Sequence, residues 1–281
     1  MKSTLFSFEF FPPKTTEGAA KLVDVTKQLG TLDPAFFSVT FGAGGSTQEG
    51  TLTTVNTIRK MGFAAAPHLS CIGSTVASIR MVLEQYREAG VTQIVALRGD
   101  LPSGMAQAGA FRHAIDLVAF IRAEYGDTFH LEVAAYPEYH PQSRSALDDL
   151  SRFKEKVDAG ANSAITQYFY SADAYFHFVD AVRAVGVTIP IVPGIMPIGN
   201  FSQIARFSDA CGTEIPRWIR RKMEAYGDDT ASIKAFGLDV VTQLCDTVLA
   251  QDAPGIHFYT MNSAALTTSI CERLVSSQRK E

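Results

Sequence analysis

The chain has 281 residues, 46% of them hydrophobic, enough for a large core and a comfortable length for one α/β barrel. Its net charge of −4 leaves no basic footprint for nucleic acid, and no apolar run approaches the ~20 residues of a membrane span. Cys71, Cys211, Cys245 and Cys271 lie far apart without a CxxC pair, which suits buried reduced thiols better than a disulfide framework or a zinc site. No apolar segment of signal-peptide form precedes the first strand, so the expected location is the cytoplasm.

In chain order, strand-like runs alternate with helix-like ones. The first strand is read over 5–13. Side chains alternate faces along a strand, so Phe6, Phe8 and Phe10 share one face and Ser7 and Glu9 the other. A carboxylate there is costly to bury without a partner or a task. Pro12 and Pro13 then stop the ladder, since neither has an N–H to donate. A helix over 16–29 stops at Gly30, and the strand 36–41 runs into the glycine-rich stretch 42–47. The spacing next predicts a helix over 48–61, a strand over 64–71 carrying His68, a helix over 76–89 and a strand over 93–97 ending in Arg98-Gly99-Asp100. Helix 110–123, strand 130–136, helix 144–159, strand 163–170 with Gln167, helix 172–185 and strand 189–196 follow. An insertion with helical stretches at 201–210 and 216–226 precedes a long helix over 231–250, a strand over 255–259 and a terminal helix over 263–276. Eight strands each followed by a helix predict a (β/α)8 TIM barrel, with extra helices between strands seven and eight and at the C-terminus. No linker-like or charge-block segment divides 1–281, so one catalytic domain is expected.

Chemistry in such barrels sits where the strands end at the C-terminal mouth. The polar residues at those ends are Glu9, Thr40, His68, Arg98 with Asp100, Tyr136 with His140, Gln167, and Tyr259 with Asn262. A ring of such groups is a site hypothesis where one alone would not be. Each also has a plain structural role open to it. Glu9 could pair with a cation at the mouth, Asp100 could cap a helix or turn, His68 and His140 could be satisfied core histidines, and Gln167 could tie sheet to loop. His257 falls early in the last strand, away from the mouth, and reads as structural. No HxH follows the first strand and no HExxH occurs, so the histidines lack the local spacing of a metal motif. The Gly42–Thr47 stretch is not GxGxxG and lacks a Rossmann context; its glycines suit close approach of backbone to a ligand.

The stretches Phe8-Glu9-Phe10-Phe11-Pro12-Pro13-Lys14, Val39-Thr40-Phe41-Gly42-Ala43-Gly44-Gly45, Pro67-His68-Leu69, Ala96-Leu97-Arg98-Gly99-Asp100, Ala135-Tyr136-Pro137-Glu138, Lys156-Val157-Asp158-Ala159-Gly160-Ala161, Ile165-Thr166-Gln167-Tyr168-Phe169, Pro193-Gly194-Ile195-Met196-Pro197 and His257-Phe258-Tyr259-Thr260-Met261-Asn262, taken together and in order, resemble the methylenetetrahydrofolate reductase family, in its short bacterial form. The resemblance implies a flavoprotein that reduces 5,10-methylenetetrahydrofolate to 5-methyltetrahydrofolate. It implies non-covalent FAD at the barrel mouth, with NADH or NADPH and folate taking turns in a ping-pong scheme, and a homo-oligomer. By matching position, Glu9 would be the general acid, and Asp100 would lie near the flavin pyrimidine and touch the folate. Thr40, Ala43, His68, Arg98, Gly99, Asp100, Tyr136, His140 and Lys156 would hold FAD. Gln167 and Gln203 would contact folate, and Phe207 would stack on bound substrate. Four positions depart from the family's usual residues: Ser263 in place of an Arg that meets the folate tail, His113 in place of a Tyr near the flavin, and Arg152 and Glu155 on the helix beside FAD. Two other readings stay open: a metal-dependent barrel hydrolase or lyase using His68, His140 and Asp100, and a folate-binding barrel without reductase activity.

Overall fold

The structure, a computed structural model, describes residues 5–41, 48–99 and 109–278. Its strands are β1 (Phe6–Phe10), β2 (Phe36–Val39), β3 (Ala65–Ser70), β4 (Gln93–Leu97), β5 (His130–Ala135), β6 (Ser163–Thr166), β7 (Ile191–Val192), β8 (Gly194–Ile195) and β9 (Ile256–Tyr259). Its helices are α1 (Thr16–Gly30), α2 (Gln48–Lys60), α3 (Val76–Glu88), α4 (Ala114–Tyr125), α5 (Ala146–Asp158), α6 (Ala172–Ala184), α7 (Phe201–Cys211), α8 (Arg217–Tyr226), α9 (Thr230–Leu249) and α10 (Ala265–Gln278). All strand pairs are parallel, in the order β7-β6-β5-β4-β3-β2-β1-β9-β8. The two ends of that order are consecutive in the chain, so residues 191–195 complete the ring of a TIM barrel.

The phenylalanine face of β1 explains how this ring is clothed. Phe8 lies against Phe37 of β2 and Phe258 of β9, at 5.7 and 6.1 Å between ring centroids, and Phe10 stacks on Phe37 at 5.2 Å. These rings join Leu22, Val25 and Leu29 of α1 and Val55 and Ile58 of α2 in one buried cluster. Each fully buried Phe contributes about 1.5–3 kcal/mol over leaving it in water. With that face committed to the helices, alternation turns Ser7 and Glu9 to the barrel interior. The parallel register sets Glu9 beside Ser38 and Tyr259, and Ser7 beside His257.

Three elements differ most from the sequence expectation. The strand expected over 163–170 ends at Thr166, which leaves Gln167 just past β6. The fourth helix starts at Ala114, not at 110, because the Asp116 carboxylate turns back to accept the N–H groups of Arg112 (2.7 Å) and His113 (2.9 Å), holding both ahead of the first turn. The seventh strand is two short pieces, not one, so the described residues hold nine strands. Pro193 between the pieces has no N–H to continue a ladder; β7 pairs with β6 while β8 pairs with β9. Side chains repair the seam. Thr166 Oγ1 accepts the Gly194 N–H (2.9 Å), and the Tyr259 hydroxyl donates to the Thr166 carbonyl (2.7 Å). A Cβ at position 194 would run into that same carbonyl oxygen and the Tyr259 ring. Gly194→Ala is therefore expected to cost about 3 kcal/mol in a denaturant titration, the upper range for overpacking a tight site; a loss under 1 kcal/mol would mean that the seam is loose.

Candidate active site

Glu9 ends the interior face of β1, its side chain 20% exposed, with one carboxylate oxygen between two histidines. Glu9 Oε2 lies 3.4 Å from His68 Nε2 and 4.0 Å from His257 Nε2. The first distance is close, yet its angle is not that of a hydrogen bond, and His68 Nε2 remains a buried atom without a partner. Burial depresses the His68 pKa; Glu9 acts in the opposite sense and His257 adds to the depression. The ring is thus neutral at pH 7. His257 is fully buried, its Nδ1 2.7 Å from Ser7 Oγ and its Nε2 3.4 Å from Ser38 Oγ. The sequence placed His257 away from the mouth in a structural role. Its ring nevertheless reaches toward Glu9 from one layer below, because Ser7 holds the opposite nitrogen.

Close by, Thr40 continues the β1–β2 pairing through its N–H to the Phe10 carbonyl (2.9 Å), while its Oγ1 is a second buried atom with no partner. Unpartnered buried donors and acceptors are rare in folded proteins, and here two stand at the ends of neighbouring strands.

A second group gathers where β4 and β5 end. Arg98 donates to the Gln142 side chain (2.7 Å) and to the Gly99 carbonyl (3.1 Å). Gln142 N–H in turn donates to His140 Nδ1 (3.0 Å), and the His140 ring meets Tyr136 edge-on at 4.6 Å. Gly99 has φ +81°, and a Cβ there would strike Ser70, so this position needs glycine. Lys156 reaches from α5 to the Ala134 carbonyl near the end of β5. Burial pulls its pKa down to about 8, with Asp149 opposing.

A third group joins β6 to the insertion. Gln167 accepts the Tyr168 N–H on its own side-chain oxygen (3.0 Å). The Tyr168 hydroxyl meets Ser208 Oγ (3.0 Å), and Thr213 donates to the Tyr168 carbonyl (3.0 Å). Those bonds fasten α7, which carries Gln203 and Phe207, beside the segment that leaves β6 with Gln167. Phe207 is half-buried beneath the Arg206 guanidinium at 5.5 Å. Ala43 and Asp100 lie outside the described residues.

The metal reading would bring His68 and His140 together. His68 instead faces Glu9 and His140 faces Tyr136 and Gln142. Among the described residues, no helix is long and apolar enough to cross a membrane.

A carboxyl group flanked by a neutral imidazole at the open end of a parallel barrel, with unpartnered polar atoms close by, is suited to acid–base work on a bound organic molecule. A family model described as methylenetetrahydrofolate reductase matches residues 1–275. The chain belongs to the methylenetetrahydrofolate reductase family. It is 39% identical to the 5,10-methylenetetrahydrofolate reductase of Escherichia coli over 95% of its own length and 90% of that protein. It is also 39% identical to the Arabidopsis thaliana protein named methylenetetrahydrofolate reductase (NADH) 1, over 92% of this chain and 46% of the longer plant protein. A solved structure of an uncharacterized Clostridium thermocellum protein, described as binding two copies of 5-methyl-5,6,7,8-tetrahydrofolic acid, shares the fold with a TM-score of 0.69 at 17% identity, covering 96% of each chain.

Within this reductase family the unusual positions of the chain now have surroundings. Arg152 Nη1 lies 3.1 Å from Glu155 Oε2, so the two departing charges on α5 neutralise each other on the same helix face. His113 caps α4 through the Asp116 bonds, and its carbonyl faces the Cys71 thiol at 3.6 Å. Ser263 is exposed, its N–H donating to the Thr260 carbonyl (3.0 Å).

Proposed function

We propose that the chain reduces 5,10-methylenetetrahydrofolate to 5-methyltetrahydrofolate with NADH or NADPH, using a non-covalently bound FAD that nicotinamide and folate visit in turn. The observation that carries this reading is the Glu9 carboxyl at the mouth, 3.4 Å from an imidazole that burial keeps neutral. The relatives named for NADH support a nicotinamide as the reductant.

The residues at the mouth fit a flavin. Thr40 Oγ1 and His68 Nε2 lack partners that a ring system rich in carbonyl and N–H groups can supply. Arg98 and Lys156 suit a pyrophosphate. Tyr136 and His140 complete that side. When bound, FAD supplies a carrier of hydride between nicotinamide and folate.

The protein's own part is the proton. Hydride can reach the methylene carbon only after the five-membered ring of the folate opens to an iminium, and opening requires protonation of the departing nitrogen. Glu9 gives that proton. The carboxylate left behind faces His68 and His257, two rings able to present N–H groups to it. Gln167, with Gln203 and Phe207 on the fastened α7, lines the side where folate enters.

The test is a visible spectrum of the pure protein, supplemented with FAD. Anaerobic NADH should bleach the flavin bands, and methylenetetrahydrofolate should restore them. A protein that binds folate yet takes up no FAD would be a folate-binding barrel without reductase activity, and the proposal would fail.

A further inference from the structure

We propose that Asn262 is a positioning residue for Glu9, acting through the backbone of Phe11; this rests on the reading of Glu9 as the acid. The side chain of Asn262 grips both polar groups of one residue. The Phe11 N–H donates to Asn262 Oδ1 (3.0 Å), and Asn262 Nδ2 donates to the Phe11 carbonyl (2.9 Å). A third bond lies two residues earlier on the same strand, where Thr260 Oγ1 donates to the Glu9 carbonyl (2.6 Å). The hydroxyl of Thr260 also accepts the Asn262 N–H (3.2 Å), which ties the two anchors together.

The need for such a clamp follows from the sequence of β1. The register with β9 ends at Glu9 opposite Tyr259. Beyond it come Phe10, Phe11 and then two prolines, neither proline able to donate to a ladder. The residues that follow the acid, Phe10 and Phe11, would therefore have the sheet on the β2 side only. The Asn262 carboxamide carries one acceptor and one donor group in the spacing of a peptide unit, and it takes the place of the absent strand partner.

The chain accepts local strain to deliver it. Met261 and Asn262 both have positive φ, 52° and 53°. Asn enters this left-handed region more readily than other side chains, whereas Met rarely does. Strained non-glycine residues persist where the surroundings over-determine them, and they gather at functional sites. Here the strained pair turns the chain out of β9 and back across the mouth onto β1.

Glycine at 262 keeps the left-handed turn and removes only the carboxamide, so Asn262→Gly isolates the clamp. Expected is a fall of roughly tenfold or more in turnover of methylenetetrahydrofolate, since misplacing a catalytic group by a fraction of an ångström already has effects of that size. The KM for folate and the NADH-driven reduction of an artificial acceptor should stay within about twofold, because neither needs the acid in place. Hydrogen exchange at the Phe11 amide should quicken by about tenfold or more in the absence of any ligand, a direct reading of the lost bond. Asn262→Asp, which can accept the Phe11 N–H but not donate to its carbonyl, should fall between, and serves if the glycine variant does not fold. Met261→Gly, which relieves strain and leaves the clamp, should keep wild-type turnover. Fast Phe11 exchange with unchanged folate turnover, or equal loss of both reactions, would overturn the inference. Glu9→Gln measured alongside separates the two ideas: if it too leaves folate turnover intact, the assignment of the acid has failed, not the clamp.

Discussion

Glu9→Gln should leave the reduction of bound flavin by NADH within about twofold of wild type and slow methylenetetrahydrofolate reduction by about 10² to 10⁴, the usual worth of a positioned general acid. The substitution is close to isosteric, so the packing of β1 against β2 and β9 is kept. What disappears is the carboxyl oxygen 3.4 Å from His68 Nε2 and 4.0 Å from His257 Nε2, and with it the group proposed to protonate folate. Hydride delivery from nicotinamide needs no proton from the protein, whereas opening the folate ring does. The two half-reactions therefore respond differently, and anaerobic single-turnover mixing of each measures them separately. A comparable loss in both halves would mean that residue 9 shapes the flavin site instead of protonating folate, and the assigned role would be withdrawn.

The frame around that acid could be read from residue spacing. Phe6, Phe8 and Phe10 at period two declare a packed face, and the rule of alternation then assigns Glu9 to the interior. Glycines after helices and short apolar runs before them gave the order of strands and helices. What escaped reading depends on contacts between distant segments. The run 189–196 looks like one strand until Pro193 is asked to donate a hydrogen bond it does not have. Asp116 acts backwards along the chain, so the start of α4 is set by a residue inside the helix. His257 could be placed only with the register in hand: once Ser7 is known to lie beside it, a ring bonded through Nδ1 must aim Nε2 at Glu9. Glu132, buried in the lower barrel with Gln93 at 3.0 Å and His130 at 3.3 Å, carries no sequence signal beyond its place in β5. Asn262 was legible as a residue of the mouth, and its partner 251 positions earlier was not.

The environment of Lys156 leads to the second large effect, in which stability and cofactor binding move in opposite directions. The side chain donates to the Ala134 carbonyl, and burial lowers its pKa from 10.5 to about 8. A lysine whose pKa is depressed on folding binds fewer protons in the folded chain than in the unfolded one between those two values. The destabilisation is thus complete below pH 8 and fades as pH rises toward 10.5. Lys156→Met removes the charge and keeps most of the aliphatic bulk. In FAD-free protein it should raise stability at pH 7 by about 2 kcal/mol, with the gap closing by about pH 10.5, as followed by thermal melts across that range. The same substitution should weaken FAD binding by about 10- to 100-fold, since an ammonium–phosphate contact is a charge-assisted hydrogen bond worth about 1.5–3 kcal/mol. A phosphate supplies a counter-charge that among the described residues comes from Asp149, so FAD should bind with uptake of a proton near pH 9, and the Met variant should lose that uptake. If the variant gains stability yet binds FAD as tightly as wild type, Lys156 is a desolvated structural lysine and the flavin pyrophosphate lies elsewhere. If it gains none at pH 7, the ammonium is already well solvated, and the opposition between stability and binding at this position does not exist.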